Sequence, residues 1–301
     1  MTRLDKVRLI GKLRLVELLC ALRIDTTVDS EFLADVGELI SLVGVELVGA
    51  WQTAVEGSAD AVVPGLVGPM ISTLSSRAFA LMVHPVVKVG KELIPLAHSM
   101  IIGIKKEMKA GAAGGVPPQV VAAQFSVLQY APQLVECLAS RMRYPAGMSA
   151  AEEAEFEDTR RSVKSEFMNL TAACPDKVLA FFGKHIAPKV ASLASVGWQD
   201  AELLMHMLYH FAEACNKLPS YQATLTKGPI GQLIVNIHKS GIGVSPNRLV
   251  LLAYYDLTVR YASVLHNNPE LLLPVLQCCM GSGCVRRVCP PPPPPPPPRP
   301  P

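Results

Sequence analysis

The sequence predicts an all-α fold, an α-solenoid built of antiparallel helix hairpins. Nearly every segment repeats its apolar residues with helical period, and no segment alternates convincingly as a β-strand would. Half of the 301 residues are hydrophobic but only 6% are aromatic, so Leu, Val, Ala and Ile supply most of the apolar material and suit packing between helices. Charged residues make up 18% of the chain, a fraction that argues against disorder for most of it.

Breaks in the helical pattern define the first three elements. The first helix is predicted over 4–23. Asp29 or Ser30 caps the second, over 31–55. Its spacing predicts one buried stripe, formed by Phe32, Val36, Leu39, Val43, Leu47 and Trp51. A third helix, over 61–83, is bent by its prolines and ends at His84-Pro85, because the residue before proline avoids helical geometry.

The remaining helices follow at short intervals. The fourth, over 86–109, ends in the glycine-rich stretch 111–115, and the fifth runs from Pro117, a residue suited to the first helical turn, to Ser140. Later helices are predicted over 151–173, 175–192, 200–217, 228–238, 246–266 and 269–280. Short loops favour antiparallel hairpins of about 40–50 residues, the size of HEAT-type repeats, in which each hairpin buries its apolar face against its neighbours. Helices at the open ends should expose apolar faces and promote aggregation.

The chain divides into three predicted parts. Helical repeats are expected over 1–140 and over 141–287, and a disordered tail over 288–301. The tail contains Pro290–Pro298 and Arg299-Pro300-Pro301, which cannot form a helix and favour polyproline II. Such a tract could dock on an SH3 or WW domain, but we favour an unstructured end.

The sequence also indicates in which cellular compartment the protein resides. The apolar windows 62–83 and 86–104 are interrupted by prolines and charges, so no membrane span is predicted. Widely spaced cysteines within or at the ends of predicted helices are typical of reduced thiols in an intracellular protein. These cysteines are Cys20, Cys137, Cys174, Cys215 and Cys278.

No catalytic motif is recognisable. The patterns GxxxxGK[ST], GxSxG and HExxH do not occur, and we predict no enzymatic activity, small-molecule substrate or cofactor. His206 and His210 are four residues apart and could bind a metal with Glu202 or Glu213, as in an unrecognised metalloenzyme, but we interpret them as part of a packing helix. A second candidate zinc site lacks paired CxxC spacing, so no metal is predicted there either. It consists of Cys278, Cys279, Cys284 and Cys289.

Three stretches of the second half carry a family resemblance. The first contains Arg143-Tyr144-Pro145, an acidic helix start, Phe156 and Arg160-Arg161. The second is the apolar run Leu203–Ala214. The third, and most specific, combines Tyr254-Tyr255-Asp256, Val259-Arg260-Tyr261 and Leu273-Pro274-Val275-Leu276. Together they resemble the exportin-T family, although Thr159 stands where an aromatic residue is usual. Members of that family are several times longer, so a middle section is expected.

The resemblance implies a transport receptor. It would bind transfer RNA together with Ran-GTP in the nucleus, pass the nuclear pore through contacts with pore proteins, and release both ligands in the cytoplasm after GTP hydrolysis. It would therefore shuttle between nucleus and cytoplasm, without insertion into a membrane. Two alternatives stay open: another importin-β-like carrier with protein cargo, and a helical scaffold or adaptor that uses its polyproline end.

Contacts to RNA would have to come from local basic clusters, because a net charge of +3 is too small for a dedicated nucleic-acid domain. The predicted contact residues are Lys88, Lys91, Lys105, Lys106, Lys109, Arg160, Arg161 and Lys164. Further basic clusters are formed by Arg141 and Arg143, and by Arg8, Lys12, Arg14 and Arg23. Ordinary solvated helix faces are the alternative interpretation, since lysines in a last turn also offset the helix dipole. The acidic run 152–158 suits a helix N-terminus, or could face a basic partner.

Overall fold

The computed structural model describes residues 2–24, 28–57, 63–113, 115, 117–216 and 218–281. Helices make up most of this part of the chain and no β-strand occurs in it, so the all-α prediction is confirmed. The predicted tail, 288–301, lies outside the described residues. The α-helices are α1 (Arg3–Lys12), α2 (Leu15–Ala21), α3 (Ser30–Val55), α4 (Val63–Met82), α5 (Val87–Lys91), α6 (Ile94–Ala112), α7 (Pro118–Ala122), α8 (Ala131–Met142), α9 (Ala150–Ala173), α10 (Pro175–Phe181), α11 (Ala187–Ala191), α12 (Trp198–Cys215), α13 (Gln222–Thr226), α14 (Pro229–Lys239), α15 (Arg248–Arg260), α16 (Ala262–Asn267) and α17 (Leu272–Gly281).

Several shorter turns connect these helices. A π-helical turn, Phe182–Ile186, joins α10 to α11. Single 3-10 turns lie at Val127–Tyr130, Leu193–Ser195, Pro219–Tyr221, Ile242–Val244 and Pro269–Leu271.

The helices form two layers. In layer A, α1 packs on α3, α3 on α6, α6 on α9, α9 on α12, and α12 on α15. In layer B, α2 packs on α4, α4 on α8, α8 on α10, α11 on α14, and α14 on α16. Because the chain alternates between the layers, each hairpin stacks on the one before it, which is the arrangement of an α-solenoid.

Successive helices of layer A run in the same direction. Gly44 of α3 lies against Leu96 of α6, and a Cβ at this glycine would stand 2.7 Å from the Leu96 Cδ1 atom. Farther along both helices, Trp51 donates a hydrogen bond to Glu107. Residue numbers therefore rise together along the two helices. The layer B helices return the chain in the opposite direction.

Capping residues set several helix starts. Asp29 accepts from the backbone N–H of Phe32 and begins α3, as the sequence predicts. Ser149 and Glu152 form a capping box at the start of α9. Acidic residues in this first turn also interact favourably with the positive end of the helix dipole. The boundary of α9 is thus encoded locally.

Several predicted helices are divided in the structure. Arg14 adopts a left-handed conformation with φ of 53° and divides the first helix into α1 and α2. The fourth is divided at Glu92 and Leu93, because Pro95 begins a new helix as one of its first two residues. Gln124, with φ of 49°, interrupts the fifth between α7 and the turn before α8. The predicted helix over 246–266 is likewise divided at Tyr261, between α15 and α16.

The predicted buried stripe of α3 is only partly correct. Phe32 is 44% exposed and Leu39 is 50% exposed, whereas both were expected in the core. The difference arises because α3 packs against α1, α4 and α6 at once. Its buried surface is therefore broader than one stripe, and Phe32 and Leu39 lie on the side of the helix that remains exposed. The fully buried side chains of the helix include Leu33, Val36, Ile40, Leu47 and Trp51.

Within the described residues, no helix combines the length and apolar character that crossing a membrane requires.

Candidate nucleic-acid interface

Layer A has a face that neither layer B nor the neighbouring layer A helices cover, here called the open face. A cavity of about 690 Å³ marks it, and its walls come only from the successive helices α3, α6 and α9. Its lining combines apolar and polar side chains. The lining residues are Val45, Gln52, Ile94, Pro95, His98, Ser99, Ile102, Ser162, Ser165 and Glu166.

One predicted basic cluster continues this face along α6. Lys105 and Lys109 are exposed and follow His98 at helical spacing, so they share its stripe. The Nζ of Lys106 turns aside to the Glu56 carboxylate at the end of α3, at 2.8 Å. The cluster therefore offers two exposed ammonium groups to a ligand and uses the third to tie α6 to α3.

The lysines of α5 also divide into two roles. Lys88 pairs with Glu31 of α3, and this hydrogen bond raises the pKa of the lysine. Lys91 is exposed at the end of the short helix. Of the two lysines, only Lys91 is therefore a candidate contact for an anion.

Arg160 lies inside the protein, which corrects the prediction that it belongs to an exposed basic cluster. Its side chain is 7% exposed, and one guanidinium nitrogen donates to both oxygens of Glu202 at 2.8 and 2.7 Å. Burial raises the pKa of the Glu202 carboxyl, and the charge of Arg160 opposes that rise. A buried charge needs such a partner, so this arginine joins α9 to α12 rather than facing solvent.

The same arginine completes an aromatic clamp. Its guanidinium carbon lies 4.4 Å from the ring centroid of Tyr144, whose ring also packs on Phe156 at 5.0 Å and Trp198 at 5.6 Å. The Tyr144 hydroxyl donates to Glu157. The first stretch of family-like residues is therefore a packing motif that fixes the loop before α9.

The other two predicted RNA contacts on α9 are Arg161 and Lys164. Arg161 is exposed and forms an ion pair with Asp158 one turn earlier, at 3.3 Å. Lys164 is half-buried; burial lowers the pKa of the His206 and His210 imidazoles, and the positive charge of Lys164 lowers it further. Neither cation is therefore as freely exposed to a ligand as Lys105 and Lys109.

The structure does not bring the basic clusters together. His98 of α6 contacts Glu166 of α9 through its Nδ1 atom at 3.0 Å, which fixes the register of these parallel helices. Lys105 lies seven residues after His98, and Arg161 lies five residues before Glu166. At 1.5 Å per residue the two cations are about 18 Å apart along the helix axes. A ligand that touches both must be extended and large.

The arginines before α9 have structural partners. Arg141 is buried and donates to the carbonyl oxygens of His84 and Val87, at 2.6 and 3.0 Å. Arg143 donates twice to Asp200, at 2.9 and 3.1 Å, and Lys189 pairs with the same carboxylate. These hydrogen bonds lower the pKa of Asp200. This basic cluster is a set of crosslinks between repeats.

The histidine pair of α12 lacks the ligands of a metal centre. The rings of His206 and His210 are 4.4 Å apart, but Glu202 is held by Arg160, and Glu213 contacts the Nδ1 atom of His210 at 3.0 Å. Desolvation and the charge of Arg160 hold the pKa of His206 well below its ordinary value. No group of three or more potential ligands is placed to bind a metal within the described residues, while Cys284 and Cys289 lie outside them.

The third family-like stretch is also structural. The Tyr254 hydroxyl lies 3.0 Å from the Nδ1 atom of His238, and the Tyr261 hydroxyl donates to the carbonyl of Leu208 at 2.8 Å. Arg260 donates to the Tyr209 hydroxyl at 2.9 Å and lies over its ring. Aromatic residues at helical spacing therefore join α15 to α12 and α14.

Sequence reasoning missed the cavity and its His98–Glu166 contact. Both residues are isolated polar positions in predicted helices, and they are 68 residues apart in the chain. The helical spacing of Ile94, His98 and Ile102 could have identified a shared face of α6. The partner helix could not be identified without the order of packing.

Comparison with known proteins adds a family to this geometry. The family model described as Exportin-T matches residues 120–286, which is more than half of the chain. The match includes α8 to α17 and all three stretches that carry the resemblance.

Curated relatives agree with the family match. The exportin-T of Phaeosphaeria nodorum is 25% identical over 209 residues, covering 63% of this chain and 19% of the relative. The exportin-T of Neurospora crassa is 23% identical over 161 residues, covering 48% and 16%, respectively. The exportin-T of Emericella nidulans is 22% identical over 206 residues, covering 63% and 19%. The chain thus spans less than a fifth of the length of these relatives.

Proposed function

The chain belongs to the exportin-T family, and we propose that it acts as a section of a nuclear export receptor whose open face of layer A contacts transfer RNA. The observation that carries this proposal is the family match over 120–286. The proposal extends to the family's partners, Ran-GTP and nuclear pore proteins, and to shuttling between nucleus and cytoplasm. The activity is binding by shape and charge, without catalysis, a cofactor or a small-molecule substrate.

Exposed cations on α6, with others on α5 and α9, support contact with RNA. Exposed cations lie along α5, α6 and α9, namely Lys91, Lys105, Lys109 and Arg161. Each contact with a phosphate is modest and sensitive to salt, so a firm hold requires several contacts over a long surface. The separation of about 18 Å between Lys105 and Arg161 suits a folded RNA more than a mononucleotide. Lys88, Lys106 and Lys164 would act mainly by adding to the local positive potential.

In the proposed role, the repeats predicted over 1–140 and 141–287 act together as one continuous scaffold. Layer A passes through the boundary by the contact of α6 with α9, and layer B by the contact of α8 with α10. A partner bound to the open face can therefore contact helices from both parts. We expect the polyproline end, 288–301, to take no part in RNA binding.

A charge-reversal comparison tests the RNA-binding face. In the variant Lys105→Glu/Lys109→Glu, binding to fluorescein-labelled transfer RNA should weaken, and the slope of log affinity against log salt should fall by about 0.7–0.9 for each lost phosphate contact. Fluorescence anisotropy over a salt series measures both quantities.

The matched control carries the same change in charge on layer B. Lys177 and Lys184 are exposed on α10 and the π-helical turn, so Lys177→Glu/Lys184→Glu should leave the salt slope nearly unchanged. Equal losses in the two double variants would mean that net charge, and not the open face, governs the binding.

A further inference from the structure

Another cavity, of about 670 Å³ and here called the α6 cavity, lies beside the C-terminal end of α6. Its walls come from α6, from α7 and from the residues that lead into the 3-10 turn Val127–Tyr130. Much of the lining is apolar, and two of its side chains, Met108 and Val121, are 44% and 63% exposed. This apolar surface is open to solvent and can take a flat apolar group of a ligand.

An aromatic ring is fixed in the lining of the α6 cavity. Phe125 meets Trp51 edge to face, with ring centroids 4.7 Å apart, and packs on Tyr130 at 6.1 Å. On its other side the ring approaches α4 closely, since a Cβ at Gly68 would stand 3.0 Å from the Phe125 Cγ atom. Phe125 is half-buried and lines the cavity. It is therefore a rigid surface on which an aromatic ligand can stack.

Two amide side chains accompany this ring. Gln124 and Gln129 line the cavity and are exposed, so their amides can both donate and accept hydrogen bonds at the edge of a ligand. Gln124 has a φ of 49°, a left-handed conformation that is uncommon for residues other than glycine. Hydrogen-bonding side chains beside an aromatic ring are the groups with which proteins recognise an unpaired nucleobase.

Glu107 also lines the α6 cavity, but its carboxylate is already occupied. One oxygen accepts from the Trp51 indole and from the backbone N–H of Val127. The other accepts from the Ser126 hydroxyl and from the backbone N–H of Leu128. The negative charge of this carboxylate opposes an anion inside the cavity. A ligand must therefore place an uncharged group inside and keep any negative charge outside.

Cations for such a charge lie just outside the cavity. Lys105 precedes Met108 by three residues and Lys109 precedes Ala112 by three, so each lysine neighbours a lining residue on the surface of α6. Both lysines are exposed. An uncharged space beside two ammonium groups matches a nucleotide, which has a flat neutral base and an anionic phosphate. An apolar side chain of a protein partner would leave the lysines and the amides unused.

We propose that the α6 cavity takes one unpaired base of a bound RNA. The base stacks on Phe125 and offers its edge to Gln124 and Gln129. The phosphates beside it contact Lys105 and Lys109. The source of the base rests on the proposed function, and it must be a single-stranded end or loop, because the bases of a duplex are stacked and paired.

Matched oligonucleotides separate the base from the phosphates. A fluorescein-labelled hexa-adenylate RNA and an abasic oligomer of the same length carry the same charge, so a difference between their dissociation constants reports on the bases alone. Fluorescence anisotropy at one salt concentration should show that the wild type binds the hexa-adenylate about tenfold more tightly, as one stacked base would provide. Equal dissociation constants, the result expected if the cavity takes a protein side chain instead, would overturn the proposal.

A substitution that fills the cavity locates the base. A Cβ at Gly111 would contact no neighbouring side chain within 4 Å, so Gly111→Leu adds apolar atoms to the cavity and leaves the core undisturbed. Gly183, in the π-helical turn, is equally open and does not line this cavity, so Gly183→Leu is the matched control. The Gly111→Leu protein should bind both oligomers as weakly as the wild type binds the abasic one, whereas Gly183→Leu should keep the tenfold preference. A preference that survives in Gly111→Leu would also overturn the proposal.

The same proteins distinguish this inference from the proposed function. If the wild type binds transfer RNA but does not prefer the hexa-adenylate, the base site is wrong and RNA binding by the open face stands. If the wild type fails to bind transfer RNA, yet prefers the hexa-adenylate and loses that preference in Gly111→Leu, the base site is supported and the proposed function is wrong.

Discussion

Trp51 and Glu107 connect the first two full helices of layer A through a buried hydrogen bond, in which the indole Nε1 donates to the carboxylate at 2.5 Å. The same carboxylate accepts from the Ser126 hydroxyl and from the backbone N–H groups of Val127 and Leu128, at 2.9 and 3.2 Å for the two backbone donors. One side chain of α6 therefore holds both α3 and the turn that leads into layer B. Its removal would leave several buried donors without an acceptor.

We predict that Glu107→Ala lowers the free energy of unfolding by about 3–5 kcal/mol, because buried donors lose their acceptor. Glu107→Gln should cost less, since the amide oxygen keeps part of the network. Urea denaturation followed by tryptophan fluorescence measures the difference. Glu56→Gln, which removes the charge of a half-exposed partner of Lys106, should change stability by less than about 1 kcal/mol. A Glu107→Ala protein as stable as that control would contradict the assigned role.

The buried pair Arg160 and Glu202 should behave as a unit. Arg160→Met leaves the Glu202 carboxyl buried without its partner and should destabilise the protein by about 3–5 kcal/mol. Adding Glu202→Leu should recover much of that loss, because two apolar side chains replace the pair. Thermal unfolding of the two single variants and the double variant measures the coupling.

The double variant Arg160→Met/Glu202→Leu also tests the corrected role of Arg160. It should retain wild-type affinity for transfer RNA, since this guanidinium is not on the surface. Losses that simply add in the double variant, or a specific loss of RNA binding, would mean that the arginine acts elsewhere.

The aromatic clamp should depend on the ring of Tyr144 more than on its hydroxyl. Tyr144→Phe keeps the packing on Phe156 and Trp198 and loses one hydrogen bond to Glu157, so we expect a cost of about 1 kcal/mol. Tyr144→Ala removes a buried ring and should cost about 3–5 kcal/mol. Chemical denaturation of both variants measures the two losses in free energy of unfolding. Equal costs would show that the hydroxyl carries the stabilisation.

Acid should destabilise the fold through its buried histidines. Burial lowers the pKa of His238 from 6.5 to about 4, so below pH 6.5 the unfolded chain binds more protons than the folded protein. Stability is therefore lost as the pH falls from about 6.5 toward 4, and His238 alone should contribute a loss of about 2 kcal/mol between pH 7 and pH 5. Burial lowers the pKa of His206 and His210 as well and adds to the same trend.

Urea midpoints measured from pH 7 to pH 5 check this dependence. His238→Gln should flatten the pH profile, whatever its effect on stability at pH 7. An unchanged profile in that variant would assign the loss to other groups.

Helical periodicity was enough to predict the fold class and most helix positions, because the apolar residues repeat locally. It did not predict the break at Arg14, since the left-handed conformation there is not signalled by glycine or proline. The exposed side of Leu39 depends on which helices surround α3, and that order is a property of the whole array. Local spacing predicts a helix face but not its partner.

Site prediction from sequence met the same limit. Lys105 and Lys109 are exposed, as the predicted contact with RNA requires, because they end a helix beyond its apolar stripe. Arg160 was misplaced because Glu202, its partner, is 42 residues away on another helix. The available signal was Glu202 directly before the apolar run Leu203-Leu204-Met205, since an acid buried in such a position requires a cation.

The binding of a folded transfer RNA by the whole chain tests the central claim most directly. Fluorescence anisotropy would compare a labelled, magnesium-folded transfer RNA with a scrambled transcript of the same length and charge, at one salt concentration. The claim predicts a lower dissociation constant for the folded RNA, and a loss of this preference in Lys105→Glu/Lys109→Glu. Equal dissociation constants for the two RNAs would contradict it.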